Sequence, residues 1–200
     1  METTSFLHGK LKQQIDFILE IDKLKTVLRK TKILHEDRHE NSAEHSWQLA
    51  LAAIILAEYA NEQINITHVI KMLLIHDLVE VYSGDTFHYH KETDETLSAR
   101  ELEAAEKIFG LLPQEQGKEL LSLWIEFDCQ QTPEAKFATS IDRLMPMLLH
   151  SHSDHKIWNE FSITSKQVID KNQHINNGST ALWHFAQEMI RDAVEKGHFA

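Results

Sequence analysis

The chain has 200 residues, a formal net charge of -11 and 42% apolar residues. This length fits one domain, or two small ones at most, and the apolar fraction is sufficient for a hydrophobic core. The acidic balance argues against a dedicated DNA- or RNA-binding protein, and no apolar run reaches the roughly 18 residues needed to cross a bilayer.

Helical periodicity dominates the sequence, which has six glycines, three prolines and no convincing alternation of apolar and polar residues. Residues 34–41 are polar and predict a loop. The patterns predict helices at about residues 5–28, 41–61, 66–84, 94–109, 113–127, 132–149, 164–171 and 180–196. We therefore expect an all-α fold, with one domain over residues 1–200.

Several helix ends are predicted by local residues. Asn41 followed by Glu44 three positions later is typical of a capping box at the start of a helix. Thr67 is a predicted N-cap of the next helix, and Gly84 is its predicted end. The sequence Thr-Pro-Glu at residues 132–134 predicts a helix start, with proline at the first helical position.

The helix predicted over residues 71–81 is apolar nearly all round, which indicates a buried position. His76, Asp77 and Glu80 interrupt it, and their spacing places them on one side of a helix. Burying such groups is unfavourable unless they are hydrogen-bonded, paired or bound to a metal.

Partners for these residues lie on two other predicted helices. His45 and Asp142 each lie on the apolar face of a helix, as His76 and Asp77 do. Taken singly, such a histidine is usually a hydrogen-bonded core residue, and such an aspartate is usually a cap or an ion-pair partner. Together, two imidazoles and two carboxylates predict a site for a divalent transition metal.

The ordered motifs resemble those of a known family. His45 within residues 43–46, the doublet His76-Asp77, and Asp142 within residues 141–144 are similar to the metal motif of the HD-domain superfamily. The wider segments 40–47, 76–80 and 83–85 resemble the branch that contains the bacterial 5′-deoxynucleotidases and the HD-domain-containing protein 2 group. The resemblance covers about residues 20–150, which would be the metal-site core, with C-terminal helices at 156–200.

This resemblance implies an HD-type helical bundle with one divalent metal, often cobalt, manganese or magnesium. Members of the branch hydrolyse nucleoside 5′-monophosphates to nucleoside and phosphate, and they are commonly homodimers. Carried over by position, the metal ligands would be His45, His76, Asp77 and Asp142. Enzymes of the superfamily with two metals have further histidine ligands between the doublet and the distal aspartate, where this chain has only His88 and His90.

The resemblance also implies roles for three other residues. Glu80 would orient or deprotonate the attacking water, the alternative being a hydrogen bond to a ligand histidine. Arg29 would bind phosphate, with Lys30 and Arg38 as rivals and a solvated surface charge as the alternative. Asp85 would contact the sugar, although aspartate after a glycine is also common in turns for backbone reasons.

One position departs from the family pattern. The deoxynucleotidases of this branch have an aromatic residue after the phosphate-binding arginine, whereas Lys30 and Thr31 follow Arg29 here. The alignment of Arg29 against Lys30 and the preference for deoxyribose over ribose therefore remain open.

The other histidines are predicted to lie in loops. His88 and His90 flank Tyr89 and are expected near the mouth of the site. Residues 151–155 predict a polar loop. We expect His150, His152 and His155 to belong to this polar loop; the alternative is that they bind a metal loosely.

The sequence thus predicts a metal-dependent phosphohydrolase that acts on nucleoside 5′-monophosphates. The alternatives are a non-catalytic nucleotide- or metal-binding module and an HD phosphodiesterase or triphosphohydrolase. No nucleic-acid or membrane partner is expected. Because Cys129 has no second cysteine to pair with and no secretory signal is apparent, we expect a cytoplasmic protein.

Overall fold

The computed structural model describes residues 8–85, 94–153 and 157–199, with only the backbone described at residues 94, 95 and 157. The helices are α1 (Gly9–Ile21), α2 (Ser42–Leu56), α3 (Ile66–Ile75), α4 (Glu80–Ser83), α5 (Asp94–Phe109), α6 (Gln114–Cys129), α7 (Pro133–His152), α8 (Ile157–Glu160), α9 (Ser165–Asn172), α10 (Ile175–Gly178) and α11 (Thr180–Glu195). The 3-10 turns are Asp22–Thr26, Ala57–Tyr59 and His76–Val79. The strands are β1 (Leu28–Lys32) and β2 (His39–Asn41).

The prediction of an all-α fold is confirmed, because helices account for most of the described residues. A small antiparallel hairpin was missed, because β1 and β2 pair in a region that was expected to be helix end and loop. Leu28 pairs with Asn41 and Lys32 pairs with His39, with an irregularity between the two pairs. This hairpin carries Arg29 and Glu40 to the start of α2.

Local capping signals account for several observed helix starts. Asn41 and Glu44 form the predicted capping box at the N-terminus of α2, and the Thr132 side chain caps α7. The predicted N-cap at Thr67 is wrong, because the Asn65 side chain accepts hydrogen bonds from the N–H groups of Thr67 and His68. Asparagine is among the preferred N-cap residues, and here it begins the helix two residues before the predicted position.

The central helix is divided into three parts. α3 ends at Ile75, the 3-10 turn His76–Val79 follows, and α4 begins at Glu80. The prediction of one continuous α-helix over residues 66–84 is therefore wrong at the 3-10 turn that contains His76 and Asp77. Gly84 ends α4 with a φ of 74°, a conformation that favours glycine, and brings Asp85 to the site.

The core lies where α2, α3 and α7 pack together. Leu49, Met72, Leu73, Phe137 and Ile141 have no exposed surface. This packing fixes the relative positions of the three segments that supply the candidate site. No helix among the described residues is long and apolar enough to cross a membrane.

Candidate metal centre

Three segments bring a pair of histidines and an aspartate together. His45 lies in the first turn of α2, His76 begins the central 3-10 turn, and Asp142 lies in the middle of α7. The candidate ligand atoms of these side chains all lie within 4.8 Å of one another. Among the described residues, they form a group that fits a divalent metal ion.

The imidazole of His76 is oriented by a backbone carbonyl. Its Nδ1 lies 2.9 Å from the Leu73 carbonyl oxygen, and because a carbonyl only accepts, Nδ1 carries the proton. Its Nε2 then faces two carboxylates, 3.0 Å from Asp77 Oδ1 and 3.6 Å from Asp142 Oδ1. This buried Nε2 has no hydrogen bond of good geometry. An unpaired imidazole nitrogen surrounded by carboxylates is the chemistry of a cation site.

The carboxylates also affect the pKa of His76. Burial lowers this pKa, but the charges of Asp77 and Asp142, whose oxygens lie close to the ring, outweigh burial and raise it to about 10. Burial also raises the pKa of Asp142, but the Arg143 charge and the contacts with the two histidines bring it well below its ordinary value. The site therefore favours a positive charge, which either a proton or a metal ion can supply.

Asp77 lies beside the three side chains rather than within the 4.8 Å group. One of its oxygens contacts His76, and Oδ2 accepts a hydrogen bond of 3.2 Å from Nη1 of Arg29. Burial raises the pKa of Asp77, while the charges of His76 and Arg29 lower it, with a net decrease. All four predicted ligands thus lie in one buried cluster, and the geometry joins three of them more tightly than the fourth.

A cavity of about 530 Å³ opens over this cluster. Its lining includes all the predicted functional residues except His45, namely Arg29, His76, Asp77, Glu80, Asp85 and Asp142. Two further basic residues and two aromatic residues also line it: Lys30, Arg143, Trp124 and Phe127. The volume lies within the range of cavities that bind small molecules.

Arg29 lies between the cavity and the carboxylates. Its Nη1 is 3.2 Å from Asp77 Oδ2 and 3.8 Å from Asp85 Oδ1, and its side chain is 14% exposed. Burial lowers the pKa of Arg29, but the charges of Asp77 and other nearby carboxylates raise it further above its ordinary value. Arg38 instead contacts both carboxylate oxygens of Glu44 at 2.9 and 2.8 Å and is not part of the cavity lining.

Glu80 is buried on the cavity wall, and its Oε2 accepts a hydrogen bond of 2.5 Å from the Ser42 hydroxyl. Burial and the Asp77 charge raise the pKa of Glu80 to about 9. Its described hydrogen bond goes to this serine and not to a histidine. Burial likewise raises the pKa of Asp85, which is half-buried at the same wall.

Sequence reasoning assigned no role to Glu40 and Ser42. Glu40 lies in β2 and Ser42 is the first residue of α2, and both are almost fully buried. Glu40 is in a strand of three residues, too short for a periodic pattern, and Ser42 resembled an ordinary first-turn residue. The signal that was available is the motif over residues 40–47, in which only the capping box and His45 were given individual roles.

The prediction for His150 is wrong. It is a buried residue of α7 rather than part of a polar loop, and its Nε2 lies 3.2 Å from the Thr31 hydroxyl. α7 continues through His152, which is exposed. Four residues with predicted loop positions, His88, Tyr89, His90 and His155, lie outside the described residues.

The fold and the site define a class: a helical bundle with a histidine–aspartate centre that fits a divalent metal. The sequence matches the HD domain family over residues 21–183, so the chain belongs to the HD domain family. The resemblance inferred from the motifs is thereby confirmed.

Relatives and solved structures agree with this assignment. The chain is 29% identical to human 5′-deoxynucleotidase HDDC2 over 137 residues, which cover 68% of the chain and 65% of that protein. It is 29% identical to the 5′-deoxynucleotidase YfbR of Salmonella arizonae over 111 residues, covering 52% of the chain and 55% of that protein. The chain thus spans somewhat less than two thirds of these curated relatives. The crystal structure of a predicted metal-dependent phosphohydrolase from Magnetospirillum magnetotacticum superposes with a TM-score of 0.90 at 41% identity, covering 99% of this chain and 100% of that one.

Proposed function

We propose that the protein is a metal-dependent phosphohydrolase that releases phosphate from nucleoside or deoxynucleoside 5′-monophosphates. The observation that carries the proposal is the group of His45, His76 and Asp142 beneath a cavity that Arg29 also lines. The names of the relatives, 5′-deoxynucleotidase and metal-dependent phosphohydrolase, support the same reaction.

The ligands in this proposal are His45, His76, Asp77 and Asp142, around one divalent metal. Two imidazoles and two carboxylates are compatible with cobalt or manganese, and carboxylates also with magnesium. When bound, such a metal would lower the pKa of a water and polarise a phosphoryl oxygen.

The protein groups have complementary tasks in this reaction. Hydrolysis forms a bond from the water oxygen to phosphorus and breaks the bond from phosphorus to the 5′ oxygen, which leaves with a proton. Glu80 is proposed to accept the proton of the attacking water. Its raised pKa supports this role, because a nearby cation would lower that pKa towards neutrality, where a carboxylate base is effective.

Arg29 is proposed to bind the phosphate, because its planar guanidinium can donate to two oxygens at once. Lys30 also lines the cavity and remains the rival, whereas the position of Arg38 argues against it. Asp85 is proposed to contact the sugar from the same wall. We further propose a homodimer in the cytoplasm, which sedimentation or light scattering of the purified protein and localisation in the cell would test.

Phosphate release from a panel of nucleotides tests the proposed function. The panel contains the ribo- and deoxyribonucleoside 5′-monophosphates, with triphosphates and cyclic nucleotides as comparisons, and each is assayed with EDTA, Mn²⁺, Co²⁺ or Mg²⁺. We expect phosphate release from the monophosphates, and EDTA should abolish it. The variant His45→Asn should also abolish release. The variant His152→Asn should not, because His152 is exposed outside the cavity.

Two outcomes of the panel would contradict the proposal. Absence of release from every monophosphate at micromolar enzyme, together with tight nucleotide binding, would indicate a non-catalytic module. Release confined to triphosphates or cyclic nucleotides would indicate a triphosphohydrolase or a phosphodiesterase.

A further inference from the structure

Glu40 lies between a candidate metal ligand and the candidate phosphate-binding arginine. Its Oε2 is 3.5 Å from Nδ1 of His45 and 3.3 Å from Nε of Arg29. Only 2% of the Glu40 side chain is exposed. All three atoms are buried, and in the described structure none of them has a hydrogen-bond partner of good geometry. One carboxylate oxygen is therefore the polar neighbour that these two cationic or polar groups share.

The local fold explains this arrangement. Leu28 pairs with Asn41 across the hairpin, and Arg29 and Glu40 are the residues next to this pair, which brings their side chains into contact. Asn41 is also the N-cap of α2, which places His45 one helical turn beyond the hairpin. The capping box thus connects the strand that bears Glu40 rigidly to the helix that bears His45.

Glu40 acts on His45 from the side opposite the metal. A carboxylate oxygen can accept a hydrogen bond from Nδ1 but cannot donate one, so it favours the tautomer in which Nδ1 is protonated. The lone pair then lies on Nε2, the atom 3.0 Å from Asp142 Oδ1. Outer carboxylates of this kind orient histidine ligands and increase their basicity.

Glu40 acts on Arg29 in a similar way. It contacts Nε, whereas Nη1 faces Asp77 and Asp85 across the cavity. Holding Nε fixes the plane of the guanidinium, because the group is rigid. Without Glu40, the guanidinium would be free to turn towards the remaining carboxylates and away from an incoming anion.

We propose that Glu40 is a positioning residue that orients both His45 for metal binding and Arg29 for phosphate binding. The part that concerns Arg29 rests on the proposed function, and the part that concerns the metal does not. In this proposal Glu40 contacts neither the metal nor the phosphate and acts only through the side chains of His45 and Arg29.

Glu40→Gln tests the proposal, because glutamine has nearly the same shape but no charge. Removal of an outer partner usually weakens metal binding by about 10- to 100-fold, so calorimetric titration with Mn²⁺ should give an affinity that is weaker by clearly more than fivefold. Inorganic phosphate should also bind the Mn²⁺-saturated variant at least fivefold more weakly. A purely electrostatic role predicts the opposite for phosphate, because removing an anion beside a cationic site tightens anion binding.

Glu44→Gln is the matched control. Glu44 belongs to the same motif and also carries a carboxylate, but it pairs with Arg38 and caps α2 outside the cavity. We expect its affinities for Mn²⁺ and phosphate to stay within twofold of those of the unaltered protein. A change below fivefold for either ligand in Glu40→Gln, or an equal change in Glu44→Gln, overturns the proposal.

A measurement on the unaltered protein covers the case in which the variant does not fold. Nitrogen-15 NMR of the Zn²⁺-loaded protein should show His45 bound through Nε2, with a slowly exchanging proton on Nδ1. Binding through Nδ1, or a proton there that exchanges freely, overturns the proposal. None of these measurements requires turnover, so a failure of the nucleotide panel and a failure of this inference are distinguishable.

Discussion

The Nε2 atom of His45 lies 3.0 Å from Oδ1 of Asp142, although 97 residues separate the two side chains in the sequence. α2 and α7 pack directly against each other and hold this pair in the core. The contact also involves His76, whose Nε2 is 3.6 Å from the same oxygen. Asp142 Oδ1 is therefore the atom on which the two histidines converge, and it supports the first prediction.

Asp142→Asn should weaken Mn²⁺ binding by at least about 100-fold, which exceeds the loss usually caused by removing an outer partner. Asparagine preserves the shape but removes the negative charge that faces both histidines. Calorimetric titration measures the change. Asp170→Asn is the control, because Asp170 forms only an exposed ion pair with Lys166 on α9. Equal Mn²⁺ affinities for the two variants would exclude Asp142 as a ligand.

Metal binding should release at least one proton near pH 7.5. In the metal-free protein the charges of Asp77 and Asp142 outweigh burial and raise the pKa of His76 to about 10, so this imidazole is protonated. A metal competes with that proton, and affinity should therefore rise about tenfold per pH unit until the pKa is reached. Titrations in two buffers of different ionisation enthalpy measure the number of protons. A value near zero would mean that His76 is already neutral.

Glu80→Gln should lower kcat by roughly 10²- to 10⁴-fold, the usual contribution of a general base, while Mn²⁺ affinity stays within a fewfold. The fold should tolerate the change, because a pKa of about 9 means that Glu80 is already neutral in the metal-free protein. Glu101→Gln is the control, since Glu101 lines the same cavity and burial raises its pKa to about 7. If Glu101→Gln lowers kcat as much, a general electrostatic effect explains both.

Arg29→Lys should raise KM for the nucleotide by about tenfold or more, because lysine keeps the charge but cannot donate to two phosphate oxygens in a fixed plane. The retained charge continues to compensate Asp77, so the fold should persist. Lys30→Met serves as the comparison, because Lys30 is the rival on the same strand. Steady-state kinetics decide between them: a larger KM effect in Lys30→Met would assign the phosphate to Lys30.

Much of the architecture could be predicted because its signals are local. The Asn41–Glu44 capping box and the Thr132-Pro133 start are encoded within four residues, and the apolar faces of α2, α3 and α7 repeat over several turns. Those faces were also enough to select His45, His76, Asp77 and Asp142. The structure brings these four together, and their roles as ligands stay predictions.

The missed features depend on tertiary contacts. β1 is stabilised by pairing with a strand of only three residues, which no periodic pattern can indicate, and the break at His76 interrupts an otherwise regular helical sequence. The functional context of Glu40 is visible only once Arg29 and His45 are close in space. His150 was misplaced for a related reason: a histidine beside polar residues resembles a loop until Thr31 and Trp158 are seen to surround it.

His150→Gln should make the protein less sensitive to acid. Burial, followed by the Arg29 charge, lowers the pKa of His150 from 6.5 to about 3, so this imidazole is neutral in the folded protein. Between these two pH values the unfolded chain binds a proton that the folded one does not, and stability therefore falls as the pH decreases below about 6.5. Between pH 7 and pH 5 the loss due to this residue should be about 2 kcal/mol.

Urea unfolding at pH 7 and pH 5 in EDTA measures this difference for each protein. Glutamine can still hydrogen-bond to the Thr31 hydroxyl and does not titrate, so His150→Gln should lack that part of the loss. His152→Gln is the control, because His152 is exposed and should leave the pH dependence unchanged. If the unaltered protein and His150→Gln lose the same stability between the two pH values, His150 is protonated in the folded protein, and its environment must admit water or a counter-charge.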